Sequence, residues 1–213
     1  MADIVLYEYW RSSASYRVRI ALNMAGLAYR SVPVDLLKEE QKSPAHLRRN
    51  PLGRVPVLEI DGVQLTQSLA MLDYLDTTRA MGLLPKDPVA RARQQALAHA
   101  IAIDVQPVCN SSVAAYASEL TRGREGVRQN WMNRFIRPGL VAFEKMLGDF
   151  AQFPYCCGDK PGLADVCLVP QVYNAERWGI LLDDLPGINR VAAVCRDHPA
   201  FVAAHPDACR PKG

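Results

Sequence analysis

The chain has 213 residues, 49% hydrophobic and 22% charged, and its 25 basic and 22 acidic residues leave a formal net charge of +3. Such a composition excludes a disordered chain, and the length suits one large domain or two modest ones. No apolar run approaches the roughly 18 residues of a membrane span, and the basic residues form no block of the kind that tracks nucleic-acid phosphates.

Met1-Ala2-Asp3 leads into a strand-like run without a basic region ahead of it, so no signal peptide is expected. Asp3 to Tyr9 reads as a first strand ending in aromatic residues with Trp10. Ser15 to Met24, with Val18, Ile20, Ala21, Leu22 and Met24 interleaved with Arg17 and Arg19, has the spacing of an amphipathic helix, and Gly26 stops it. Tyr29 to Val34 reads as a second strand, joined through that helix to the first in a β-α-β unit that favours parallel pairing. After the polar stretch Lys38 to Asn50, Val55 to Ile60 reads as a strand opening on Pro56. Asp61-Gly62 is a hairpin turn, and Val63 to Leu65 is the returning strand. Ser68 to Asp76 is a helix with Leu69, Leu72 and Leu75 on one face.

From Pro88 onward the pattern is helical throughout: Val89 to Tyr116, Gly126 to Leu147 and Leu163 to Trp178, then shorter pieces at Ile188 to Cys195 and Phe201 to Ala204. The expected architecture is an α/β domain over residues 1–80, a linker over 81–87 and an all-α domain over 88–213. The six cysteines, Cys109, Cys156, Cys157, Cys167, Cys195 and Cys209, lie in the C-terminal half without a C-x-x-C pair. They read as reduced, mostly buried thiols in a cytoplasmic protein, and no metal-ligand spacing appears.

Three places in the α/β half carry chemistry. Hydroxyls crowd the first helix start at Ser12-Ser13-Ala14-Ser15, where they serve as N-caps. The same unpaired N–H groups and positive dipole end make an anion site, and a thiolate held there is stabilised over its thiol. At Arg54-Val55-Pro56-Val57 a cis bond before Pro56 would turn the Val55 N–H and C=O outward, like a strand edge open to an extended peptide. Gln67 and Ser68 open a helix after a strand. Ser68 is most simply an N-cap, and that helix end equally suits a carboxylate, with Gln67 supplying an amide. Together these are the needs of a small thiol peptide.

The run Ser12-Ser13-Ala14-Ser15-Tyr16-Arg17-Val18-Arg19-Ile20-Ala21-Leu22 resembles the signature of the zeta-class glutathione transferases, the maleylacetoacetate isomerase family. The likeness continues through Asn50-Pro51, Val55-Pro56, Gln67-Ser68-Leu69-Ala70, Leu83-Leu84-Pro85, Gln106-Pro107, Ala164-Asp165, Leu168-Val169-Pro170-Gln171-Val172 and Asn174-Ala175-Glu176-Arg177. It implies the cytosolic glutathione transferase fold: an α/β thioredoxin-like N-terminal domain, an all-α C-terminal helical domain, and a homodimer. It further implies that Ser12 stabilises the glutathione thiolate with Ser13 beside it, and that Val55 pairs with the cysteinyl backbone. Gln67 and Ser68 would hold the γ-glutamyl end, with Gln41, Gln106 and its neighbour Asn110 lining the glutathione site.

Two departures stand out. Ala14 occupies a position where many members have cysteine, so reductive dehalogenation is not expected, whereas isomerisation needs only the thiol of glutathione. Gly162 stands where a Thr or Ser helix cap is common, with a modest stability effect expected. A maleyl keto acid carries two carboxylates and a cis double bond conjugated to carbonyls. Reversible thiolate addition frees that bond to rotate, and two arginines suit the dianion, namely Arg11 and Arg177. Maleylacetoacetate and maleylpyruvate isomerisation, broader glutathione transfer and non-catalytic glutathione binding all remain open from sequence.

Overall fold

A computed structural model describes residues 4–150 and 154–211. Asp3, where the first strand was expected to open, lies outside the described residues. The chain divides into two compact units, Met1–Gly82 with Asp197–Gly213, and Leu83–Arg196.

In the first unit, strand β1 (Val5–Glu8) leads to helix α1 (Ser13–Met24) and strand β2 (Arg30–Pro33). A short 3-10 turn at Glu40–Lys42 and helix α2 (Pro44–Arg49) follow, then β3 (Val57–Ile60), β4 (Val63–Thr66) and α3 (Ser68–Arg79). The sheet order is β2-β1-β3-β4, with β1 and β2 parallel and the β1–β3 and β3–β4 pairs antiparallel. The Asp61-Gly62 turn has both residues at positive φ, 51° and 78°, which matches the right-handed twist of the flanking strands. Leu6, Val18, Ile20, Leu22, Leu58, Met71, Leu72 and Leu75 are fully buried and form this unit's core.

The C-terminal helix α9 (Pro199–Ala204) packs on α1 of this unit, although chain order alone grouped it with the later helices. Buried polar bonds hold it there. Arg19 Nε donates to Ala204 C=O at 2.9 Å and Asn23 Nδ2 donates to Ala200 C=O at 3.1 Å.

The second unit holds α4 (Pro88–His99), α5 (Ser111–Leu120), α6 (Val127–Leu147), α7 (Leu163–Arg177) and α8 (Pro186–Asp197). The single helix expected over Val89 to Tyr116 is interrupted. After α4 the chain widens into a π-helical stretch, Ala100–Val105, closed by Gln106 N–H to Ile101 C=O at 2.9 Å. Pro107 has no N–H to continue the helical ladder, and turns follow before Asn110 opens α5. Helix α7 is the centre of the unit: every residue from Leu163 to Val172 is buried, as expected of a helix covered on all sides. No helix among the described residues is long and apolar enough to cross a membrane.

The start of α7 corrects the sequence reading of Gly162. A Cβ at Gly162 would lie 2.2 Å from Gln94 Nε2 and 3.1 Å from Leu83 C=O, so a serine there would have to displace the buried Gln94 side chain. The end is capped instead by the fully buried Asp165, whose two oxygens accept from Gly162 N–H and Cys156 N–H, both at 2.8 Å. Burial raises the Asp165 carboxyl above its ordinary value, against the pull of those two donors. Gly162→Ser is therefore expected to destabilise the protein by about 1–3 kcal/mol in urea unfolding, and adding Gln94→Ala to recover part of that loss.

Candidate active site

Helix α1 starts from a tight turn. Ser12 N–H donates to Tyr9 C=O at 2.9 Å, and Ser12, in extended conformation, receives the Tyr16 N–H on its carbonyl at 2.8 Å. Its Oγ accepts from Ser15 N–H at 3.2 Å. Capping uses only a lone pair, so the hydroxyl proton remains available to an anion at the positive end of this 12-residue helix. Ser13 is the first helical residue and is half-buried, as is Ala14.

Arg11 is fixed beside this end. One terminal nitrogen donates to Tyr9 Oη at 2.9 Å, and the guanidinium lies 5.7 Å from the Tyr9 ring centroid and 4.9 Å from that of Trp10. Its Nε is buried without a hydrogen-bond partner among the described residues.

The bond between Val55 and Pro56 is cis, and neither the N–H nor the C=O of Val55 bonds to another described residue. The adjoining Arg54 C=O is held twice, by His46 Nε2–H and by Asn50 Nδ2, each at 2.9 Å. Both donors are buried, and the sequence reading gave neither a part in the site. The available signal was Asn50-Pro51 within the resembling motifs; His46 offered none. Gln41, in the 3-10 turn, keeps a buried Oε1 without a partner among the described residues, an acceptor ready for a ligand N–H.

At α3 the capping residue is Gln67, not Ser68. Gln67 takes φ 67° and ψ 112°, a conformation that a residue with a side chain adopts only where its surroundings hold it. The first N–H of the helix to reach a backbone acceptor is that of Met71, on Gln67 C=O at 3.0 Å. Ser68 is buried at the first helical position, and its Oγ accepts from Arg17 at 3.3 Å. The fully buried Arg17 thus places a positive charge behind this helix end.

In the second unit, Gln106 Nε2 donates to Asn110 Oδ1 at 2.6 Å, which leaves the Gln106 Oε1 side to accept. Arg177, exposed at the end of α7, donates to Asn174 Oδ1 at 3.2 Å and lies 5.3 Å from the Trp178 ring centroid. Glu176, the acid beside it, is paired with Arg196.

The structure thus gathers Arg11, Ser12 and Ser13 at one helix end, Gln67 and Ser68 at another, Gln106 with Asn110, and Arg177 with Asn174. None of the shifted cysteine thiols is poised to react. Burial pushes Cys109 up to about 11 and Cys157 up to about 12, and it also raises Cys156, Cys195 and Cys209. Among the described residues, the partnerless Gln41 Oε1, the Val55 N–H and C=O and the two helix ends offer an acceptor, an open backbone edge and two positions that favour an anion.

Residues 2–77 match the glutathione S-transferase N-terminal domain family. The chain is 53% identical over 210 residues to the maleylacetoacetate isomerase of Rhizobium meliloti strain 1021, covering 98% of this chain and 99% of that protein. Among solved structures it is similar to a holo maleylpyruvate isomerase described as a bacterial zeta-class enzyme, with a TM-score of 0.94 at 36% identity over 98% of this chain and 100% of that one. It is similar also to the Methylobacterium extorquens AM1 maleylacetoacetate isomerase with bound malonate and glutathione, with a TM-score of 0.92 at 37% identity over 97% and 98%. The helix end at Ser12, the open backbone at Val55 and full-length identity at this level agree: the chain belongs to the zeta-class glutathione transferases, the maleylacetoacetate isomerase family.

Proposed function

We propose that this chain is a glutathione-dependent cis–trans isomerase that converts maleylacetoacetate to fumarylacetoacetate. The observation that carries the reading is the Ser12 hydroxyl proton, left over after capping at the positive end of α1, in a chain whose own shifted thiols are held protonated. When bound, glutathione supplies the sulfur that adds reversibly to the cis double bond, so that rotation and departure of the sulfur give the trans isomer.

The residues divide the remaining work. Ser12 donates to the anionic sulfur, with Ser13 beside it in the first turn. The Val55 N–H and C=O pair with the cysteinyl backbone, steadied through the Arg54 carbonyl by His46 and Asn50. Gln67 and Ser68 receive the γ-glutamyl carboxylate and amine, Gln41 accepts an N–H, and Gln106 with Asn110 completes the polar lining. Arg11 takes one carboxylate of the substrate. Arg177 takes the other, since a guanidinium matches a carboxylate bidentately. A homodimer in the cytoplasm belongs to the same reading.

A second reading, maleylpyruvate isomerisation, is favoured by the fold similarity to that enzyme and uses the same chemistry on a shorter chain. Steady-state assays with glutathione and each maleyl keto acid decide between them. Turnover no faster than the glutathione-only background with either substrate would end the isomerase reading. Arg177→Ala is expected to raise KM for the working dianion roughly tenfold and to spare a neutral electrophile. Unchanged kinetics would remove it from the clamp.

A further inference from the structure

The residues after α9 return to the loop that carries Arg11. Fully buried on α1, Arg19 donates through one terminal nitrogen to Trp10 C=O at 2.9 Å and through Nε to Ala204 C=O at 2.9 Å. One guanidinium therefore ties the last residue of α9 to the backbone just ahead of Arg11. Beyond α9 the chain turns, with the N–H groups of Ala208 and Cys209 on His205 C=O at 3.0 and 3.1 Å. The His205 ring stands edge-on to Tyr16 at 6.0 Å.

This turn sets the Arg210 guanidinium 5.3 Å from the Trp10 ring centroid, the same ring that holds Arg11 at 4.9 Å. The two charges are thus no farther apart than roughly the 10 Å over which charges interact in dilute salt. Neither has an ion-pair partner among the described residues, and the nearby Asp207 faces His205 at 3.7 Å. Among the described residues, Arg11 donates only to the neutral Tyr9 hydroxyl and lies by two rings, and its Nε is buried without an acceptor. Two cations drawn to one indole with no carboxylate between them repel each other until an anion arrives. That repulsion is relieved most by a ligand carrying two negative charges.

We infer that Arg210 is a specificity-determining residue: the C-terminal segment brings a second guanidinium to Arg11, and the pair selects dianionic over monoanionic ligands. The identity of the dianion as a maleyl keto acid rests on the isomerase reading; the charge preference does not.

Calorimetry tests it on the full chain saturated with S-methylglutathione, titrated with maleate as the dianion and crotonate as the monoanion in low salt. Arg210→Gln is expected to weaken maleate roughly fivefold, to change crotonate less than twofold, and to lose its effect in about 0.5 M salt, where the screening length shrinks. Arg11→Gln marks the site by weakening both ligands. The inference is overturned if Arg210→Gln leaves maleate binding unchanged, weakens both ligands equally, or if the unaltered protein does not bind maleate. Turnover of maleyl substrates, assayed in parallel, reports separately on the isomerase reading. Maleate binding that depends on Arg210 without turnover would sink that reading and keep this one.

Discussion

Ser12→Ala is expected to lower kcat at neutral pH by roughly 10²–10³-fold, the usual effect of removing one preorganised donor from a developing or bound anion, with little change in KM for glutathione. A thiol of ordinary pKa, roughly 8.5, is mostly protonated at pH 7. A charge-assisted hydrogen bond is worth about 1.5–3 kcal/mol, or one to two pKa units. Without the Ser12 donor the bound thiol titrates higher, so the variant's activity is expected to climb with pH and to recover part of the loss in mildly alkaline buffer. Ultraviolet titration of bound thiolate, with the protein saturated in glutathione, checks this directly. The same variant removes the cap on Ser15 N–H and should lose about 1 kcal/mol of stability. Ser12→Asp separates the two roles. An aspartate caps as well as serine, so stability should hold, yet it offers no proton and repels a thiolate, so activity should fall further. A Ser12→Ala enzyme with an unshifted thiol pKa would take Ser12 out of the chemistry and leave it a helix cap.

What could be read from sequence was whatever local chemistry dictates. The crowd of hydroxyls at Ser12, the Asp61-Gly62 turn and the Val55-Pro56 step each act within a few residues, and each sits in the structure where its physics placed it. The misplaced features are those decided by distant partners. Ser68 looked like a cap because it opens a helix, but the backbone turn puts Gln67 in that position and gives the Ser68 hydroxyl to Arg17, 51 residues away. The helix drawn through Val89 to Tyr116 matched its apolar spacing. Only the π-helical stretch and the turns around Pro107 break it, and these bring Gln106 and Asn110 within a hydrogen bond. Gly162 looked like a weak cap because the side chain filling its space, Gln94, belongs to another helix. The return of α9 to α1 rests on bonds such as Arg19 to Ala204, 185 residues apart, which no local pattern encodes.

Arg19→Met is expected to destabilise the protein by about 3–5 kcal/mol, the range found when one partner of a buried ion pair is removed and the other charge is left behind. That is a large part of the roughly 5–15 kcal/mol by which domains are stable. Arg19 is fully buried and serves three acceptors at once: the Glu8 carboxylate, Trp10 C=O and Ala204 C=O. Glu8, itself buried, also accepts from Ser31 Oγ at 2.8 Å, so it would keep one donor and lose the charge that offsets its burial. If the stranded carboxylate dominates, Glu8→Gln added to Arg19→Met should recover a substantial fraction of the loss. If the two backbone carbonyls dominate, it should recover little. Urea unfolding of the single and double variants gives the coupling directly. Arg19→Lys sharpens the division, since an ammonium keeps the charge but lacks the planar fork that spans three acceptors. It should hold Glu8 and release either Trp10 or Ala204. Releasing Ala204 loosens α9 and the segment that carries Arg210, whereas releasing Trp10 loosens the backbone ahead of Arg11 and Ser12. An Arg19→Lys protein of near-normal stability whose bound glutathione thiol titrates higher than normal would therefore show that Arg19 positions the thiolate loop as well as holding the fold.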